Sequence, residues 1–378
     1  MKVLIVSDAR SVHTQRWLSS LKEKGIDTVL YSINMFDGDF YKSRGIKCHY
    51  FDLFRYQREK KGLLHGVISH YRAVKHLKHI IKVEMPDILH AHFATSYALV
   101  AALAGFHPFI VSVWGSDIYL YPKKSRLNRA VVEYSLHKAD KILSTSNVMA
   151  KECRKYTGKP IEITPFGVDA SLFRRTCGGE KEISLHENND SQATASRKFT
   201  IGSVKSLAAN YGTEYLLRAF EIVARNNPSL DCRLELVGKG PDEVKLKTLA
   251  QQLGISSKVV FRGFVEQQKL PEIYSKFTIA CYLSISESFG VSAIEAMACN
   301  CPVVASDAEG FTEVIEDGIT GIIVPKCNPE AAAQAIQRFI DNPSDIEKMG
   351  SAARERVCNL YVWENNVNTM ISIYRSVL

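Results

Sequence analysis

Glu287 and Glu295, in the stretch SESFGVSAIEAMACNCPVV, are separated by seven residues and stand on either side of Phe289-Gly290-Val291. The longer segment FTIACYLSISESFGVSAIEAM reads as strand, loop and helix. A helix starting near Phe289-Gly290-Val291 presents backbone N–H groups and the positive end of its dipole, which favour a phosphate. Glu287 lies in the loop before that start and would repel a phosphate. Its carboxylate therefore suits neutral hydroxyls or a developing positive charge. Glu295 lies about one turn inside the helix, where it can accept two hydrogen bonds from a vicinal diol such as a ribose. A second account of Glu295 needs no ligand. Ser292-x-x-Glu295 fits a capping box, in which the carboxylate only holds the helix start together. A helix that begins at Gly290 or Val291 would leave Glu295 to a ligand.

The elements that must position these groups repeat along the whole chain. Short apolar runs (VLIVS, TVLYS, DILHA, FIVSV and KILST in the first half; FTIGSV, RLELVG, KVVFRG, FTIACYL, PVVAS and GIIVP in the second) alternate with helical patterns. Such alternation makes parallel sheets wound by right-handed crossovers, so the fold class is α/β with two Rossmann-like domains. In open sheets of this kind ligands bind beyond the carboxyl ends of the strands, which predicts a site in the cleft between the domains. The polar segment around 176–198 has few bulky apolar residues and reads as the connection. The expected division is an N-terminal domain at 1–173, a connection at 174–198, a C-terminal domain at 199–360, and a last helix at 361–378 returning to the N-terminal domain. The turn after the first strand, SDARSVHTQRW, contains no glycine, so a dinucleotide-binding fingerprint is excluded, and there is no P-loop. The glycines that follow strands are in the second half: Gly202, Gly238, Gly240, Gly263 and Gly290.

A chain of 378 residues suits two domains. Its 46% hydrophobic and 23% charged residues describe a soluble globular protein. No apolar run approaches the ~18 to 20 residues of a membrane span, and the apolar run in MKVLIVSDAR is too short for a secretory signal. The nine cysteines show no C-x-x-C and no histidine at zinc spacing. Cys299 and Cys301 read as small buried residues, and so many unpaired thiols point to a reducing, cytoplasmic compartment. The net charge of +8 is uneven: residues 1–170 hold 26 Lys+Arg against 15 Asp+Glu, a balance of +11, and the remainder 22 against 25, or -3. Much of the basicity lies in FRYQREKKGLLHGVISHYRAVKHLKHIIKVE. There Leu64, Val67, Ile68, Tyr71, Val74, Leu77 and Ile81 form one helical stripe opposite a basic face. That helix reads as a surface helix docked on its own sheet, or as one drawn to anionic lipid head groups or a diphosphate-bearing acceptor. No helix-turn-helix, zinc or RNP-like pattern accompanies the charge, so nucleic acid is not expected.

ESFGVSAIEAMACNCPVVASDAEGFTEVIEDGITGIIVP, residues 287–325, resembles the donor-site signature of retaining glycosyltransferases of family four, which have the GT-B fold. IGSVKSLAANYGTEYLLRAF, ELVGKGPDEVKLKTLAQQLGI, PFGVDASLF and YVWENNVNTMISIYRSVL resemble further blocks of that family in the family's order. The resemblance implies transfer of a sugar from a nucleotide-diphosphate donor, UDP favoured over GDP or ADP, to a hydroxyl with retention. It implies Glu287 at hydroxyls of the transferred sugar, Glu295 at the ribose, and Ser288, Phe289, Gly290 and Val291 as neighbours and main-chain partners. Gly263-Phe264 resembles the segment beside the base, and Ser203 and Gly238 belong to the same donor side. Where many members carry an Arg and a Lys after the first strand of this domain, the sequence has Lys205, the expected stabiliser of the departing diphosphate. In the first half the family's His-Gly-x-Asp is replaced by SVWGSD. Trp114 is then either a sugar-stacking ring or core, and Asp117 an acceptor orienter or base. His92 is a candidate substrate contact, set against a hydrogen-bonded structural histidine. Arg10 and His13 replace a glycine-rich turn and are expected at the acceptor or its phosphate. No metal or other cofactor is expected, for want of a D-x-D-like cluster. The expected acceptor is a glycan or lipid-linked glycan, in surface polysaccharide or lipid-linked glycan biosynthesis, met at the inner membrane face through the basic first half. A nucleotide-sugar epimerase of the same fold and an inactive nucleotide-sugar-binding subunit are the competing classes.

Overall fold

The computed structural model describes residues 1–53, 55, 63–176 and 198–378. The chain forms two compact units, Met1–Pro165 with Asn365–Leu378, and Phe166–Glu364. Most of the polar connection read at 174–198, and Arg58, Lys60, Lys61 and the Leu64 side chain of the basic stretch, lie outside the described residues.

The first unit is built on seven parallel strands, β1 Lys2–Val6, β2 Asp27–Ser32, β3 Lys47–Tyr50, β4 Ile88–His92, β5 Phe109–Val113, β6 Lys141–Ser144 and β7 Ile161–Ile163. Their order across the sheet is β3-β2-β1-β4-β5-β6-β7. Residues Val3 to Val6 and all of β4 and β5 are buried. Burial on both faces is what makes these strands continuous apolar runs in the sequence. The two edge strands, KCHY and IEI, are part-exposed and carry no such run, so the periodicity does not reveal them.

The second unit has six parallel strands, β8 Lys198–Val204, β9 Asp231–Val237, β10 Val259–Gly263, β11 Ile279–Tyr282, β12 Val303–Ser306 and β13 Gly321–Val324, in the order β10-β9-β8-β11-β12-β13. Each sheet reverses direction of growth once, between β1 and β4 and between β8 and β11. Loops leaving the carboxyl ends of such a strand pair diverge and open a crevice, the usual ligand position in open α/β sheets.

Helix Leu63–Glu84 docks with only the later part of its apolar stripe, Val74, Leu77 and Ile81. Ser69, Ala73, Val74, Leu77 and Ile80 are buried, whereas Val67, Ile68 and Tyr71 are exposed, Tyr71 by 70%. In the first turns the small residues Ser69 and Ala73 take the inward positions and the larger residues face out. Among the described residues no helix is long and apolar enough to cross a membrane.

The final helix, Trp363–Ser376, belongs to the first unit from Asn365 onward. There the buried Tyr374 hydroxyl pairs with His90 Nδ1 at 2.7 Å, and His90 Nε2 with Ser112 Oγ at 2.8 Å. Burial holds the His90 pKa down at about 3, against 6.5 for the free side chain. Between those values the unfolded chain binds a proton that the folded chain refuses, so this group's contribution is complete above pH about 6.5 and declines as pH falls. The decline is worth up to about 1.4 kcal/mol per pH unit. Urea unfolding at a series of pH values is therefore expected to show a falling midpoint on acidification, and His90→Asn a shallower fall. An identical slope in the variant would remove His90 as the cause.

Candidate active site

Lys205 is the first residue beyond β8, and Glu287 lies in the loop beyond β11, so the two flank the reversal point of the second sheet. The Lys205 ammonium donates to Glu287 Oε2 at 2.5 Å, the side chains being 13% and 10% exposed. The ammonium also stands 4.8 Å from the Tyr211 ring centroid and 5.9 Å from that of Phe311. One carboxylate and two ring faces thus hold a single cation at the crevice.

Helix Val291–Ala298 begins directly after Gly290, whose φ of 103° is left-handed, and no side chain caps it. The capping box is not formed, because Ser292 is already inside the helix rather than at its cap. Glu295 has instead a tertiary partner: the buried Tyr274 hydroxyl donates to Oε2 at 3.1 Å. Burial pushes the Tyr274 pKa well up, so its hydroxyl stays a donor. The Phe289 side chain is buried against Phe166 and Tyr361, so only its main chain can serve a ligand. Ser288 is half-buried beside it.

A second loop locks this one. Gly310 N–H donates to the Glu287 carbonyl at 2.9 Å, and a Cβ on Gly310 would fall 2.4 Å from Phe289 N. On the β8–β9 side, Lys205 N–H donates to the Val237 carbonyl, and Gly238 N–H to the Gly263 carbonyl. Ser203 is buried at the end of β8, while Phe264 projects with 72% exposure.

The first unit corrects several expectations. Asp117 is fully buried and both oxygens are engaged: Oδ1 accepts from Gly115 N at 2.7 Å and Trp114 N at 3.2 Å, and Oδ2 from Ala94 N at 2.9 Å. Burial raises its pKa, with these backbone hydrogen bonds opposing. It pins the loops after β4 and β5 together and is not placed as an acceptor base. Trp114 is core rather than a sugar platform, 6% exposed and packed on His92, whose ring centroid is 4.3 Å away. His92 is buried, paired with Ser7 Oγ at 3.1 Å and held neutral by burial and by His90 and His13, so it is the structural histidine. Of the expected acceptor residues, Arg10 is 61% exposed and makes a two-pronged pair with Asp8, at 3.0 and 2.8 Å. His13 lies edge-on to Trp114 at 5.9 Å.

Both halves of the chain match glycosyltransferase families: "Glycosyl transferase 4-like" over residues 2–146 and "Glycosyl transferases group 1" over residues 186–356. Each half of the chain thus matches glycosyltransferases, and the fold is GT-B. It is 26% identical to the uncharacterized glycosyltransferase MJ1607 of Methanocaldococcus jannaschii, over 78% of this chain and 77% of that protein. It is 30% identical to the D-inositol 3-phosphate glycosyltransferase of Nocardiopsis dassonvillei over 64% of this chain, but spans only 57% of that protein. Among solved structures, sucrose-phosphate synthase from Thermosynechococcus elongatus has the same fold, with a TM-score of 0.79 at 19% identity, covering 99% and 98% of the two chains. Anabaena Alr3699/HepE in complex with UDP gives 0.79 at 20% identity over the full length of both.

In this glycosyltransferase the sequence reading missed Tyr274, Tyr211, Phe311 and Gly310. Tyr274 reaches Glu295 from helix Leu270–Lys276, and no local pattern links them. Gly310 carried a signal only as a glycine in the loop after a strand, in VVASDAEG. Among the described residues there is no cluster of three or more His, Cys, Asp or Glu able to hold a metal ion.

Proposed function

We propose that this glycosyltransferase transfers a sugar from a nucleotide-diphosphate donor, a UDP-sugar ahead of GDP- or ADP-sugars, to a hydroxyl with retention at the anomeric carbon. The observation that carries this reading is the Lys205–Glu287 pair beside the uncapped start of helix Val291–Ala298. Lys205 and the helix start present positive potential for a diphosphate, and Glu287 sits one hydrogen bond from the cation, on the side left for a neutral sugar. In the empty chain Glu287 holds Lys205 in place. When the diphosphate arrives the ammonium turns to it and the carboxylate is released to accept from sugar hydroxyls. The bond from the anomeric carbon to the phosphate oxygen then breaks with its electron pair going to the leaving group. The acceptor oxygen attacks from the same face, and its proton passes to the departing phosphate. No carboxylate nucleophile and no metal takes part in this scheme. The Anabaena HepE structure with UDP-glucose has this fold, which supports a UDP-sugar here. The acceptor in this reading is a glycan or lipid-linked glycan met in the cytoplasm, with the basic first unit facing it.

The test is turnover of a panel of UDP-, GDP- and ADP-sugars with and without acceptor alcohols, with the product's anomeric configuration read by proton NMR. Product formed without an acceptor would favour an epimerase, nucleotide binding with no turnover for any acceptor a binding subunit, and an inverted product would overturn the scheme. Glu295→Ala is expected to raise the donor KM about tenfold or more with kcat largely kept, since a bidentate ribose contact binds ground and transition states alike. Tyr274→Phe should move KM the same way by less. An unchanged KM in Glu295→Ala would take that residue out of the donor site.

A further inference from the structure

The face of helix Leu63–Glu84 that its own core leaves open borders a groove of about 760 Å³ within the first unit. Val67 and Tyr71 line one side, Leu99 and Leu103 of helix Ser96–Ala104 another, and Leu127 and Val131 of helix Arg126–Lys138 the third. Its volume is that of a site for a small ligand, and its lining is mostly aliphatic and aromatic. The polar groups within it are few, and His70 Nε2 and Ser96 Oγ face each other at 3.4 Å. Val67 is 59% exposed, Tyr71 70%, Leu103 41% and Leu127 61%. A continuous apolar surface of this kind on a water-facing helix layer marks a partner.

Charge identifies the partner. Helix Leu63–Glu84 carries Arg72, Lys75, Lys78 and Lys82, all exposed, and Lys78 reaches the groove itself. Its one acid, Glu84, is 3% exposed and is neutralised by Lys47 and Lys2. Lys123, Lys124 and Arg126, at the start of the third wall, are exposed as well. An apolar slot with a cationic margin is complementary to an anionic amphiphile, whose chain fills the slot while its head group meets the lysines. We propose that the groove receives an acyl chain of an anionic bilayer and seats the first unit on the membrane surface. The proposal does not depend on the transfer reading, and its test does not use transfer.

The full chain would be sedimented with phosphatidylcholine vesicles containing or lacking phosphatidylglycerol. Binding is expected to be at least about tenfold stronger with the anionic lipid, and to survive in part at about 1 M salt, where the Debye length is about 3 Å. Leu103→Asp with Leu127→Asp, at exposed positions that leave the fold intact, should weaken binding about tenfold or more at unchanged thermal midpoint. In a Val67→Trp variant, chain-brominated phosphatidylglycerol should quench the new indole emission. No binding to anionic vesicles would overturn the proposal, as would binding that salt abolishes and the double variant leaves unchanged. Self-association of the wild type that the double variant abolishes would assign the groove to a second copy of the chain instead.

Discussion

Lys205→Ala is expected to lower kcat/KM for sugar transfer by about two to three orders of magnitude, the range found when one donor to a developing oxyanion is removed. The loss should fall on kcat, because the charge of the departing diphosphate is greatest in the transition state. Glu287→Ala should reach a similar loss by another route, leaving the sugar hydroxyls without an acceptor and the ammonium free to swing between the Tyr211 and Phe311 rings. Since the two groups hold each other at 2.5 Å, their effects are expected to be far from additive, and the double variant should be little worse than either single one. Stability is a separate readout. The pair is nearly but not fully buried, so each single variant should cost less than the about 3–5 kcal/mol of a broken fully buried pair. Near-normal turnover in both variants would refute the assignment of the site to this crevice.

The legible part of the molecule was the part governed by local rules. Nine of the eleven apolar runs became central strands, because parallel strands covered on both faces admit little else, and KVVFRG and GIIVP became the edge strands β10 and β13 of the second sheet. β3 and β7 escaped because KCHY and IEI are three or four part-exposed residues with polar members and make no apolar run. The Glu287 loop, the helix start after Gly290 and Lys205 at the end of β8 were legible because each is a strand end followed by turn chemistry. What was not legible depends on residues far apart in the chain. Asp117 reads as a base until three backbone N–H groups from two loops are seen to occupy it. For His92 and Trp114 the sequence leaves substrate contact and core both open, and only their burial with the rings 4.3 Å apart separates the two. The stripe on helix Leu63–Glu84 held for Val74, Leu77 and Ile81 and failed for Val67, Ile68 and Tyr71, because a helical period shows which residues share a face and not how far along the helix that face stays covered.

Gly238→Ala should slow transfer by about 100-fold or more without unfolding the chain, and the reason lies in the backbone at the end of β8. Gly238 has a φ of 136°, and a Cβ there would stand 2.0 Å from the carbonyl oxygen of Lys205. Real contacts between such atoms exceed that by more than about 1 Å, and the obstacle is main chain, so one of the two strand ends must move. Either movement carries the Lys205 side chain with it, and a displacement of about 1 Å in a group that must meet a reacting bond can cost about 100-fold. The backbone conformation alone adds about 1–2 kcal/mol of strain. Gly254→Ala separates the two effects, since Gly254 lies in the same unit at a φ of 69° with nothing within 4 Å of its added methyl. That control should lose only about 1–2 kcal/mol, the strain of a left-handed backbone, and keep its rate. Gly238→Ala, assayed well below its own melting temperature, should be slower by about 100-fold or more, with the loss in kcat. Equal rates in the two variants would mean that the close approach of Gly238 to Lys205 does not position the cation, and that the crevice tolerates a shift of its central lysine.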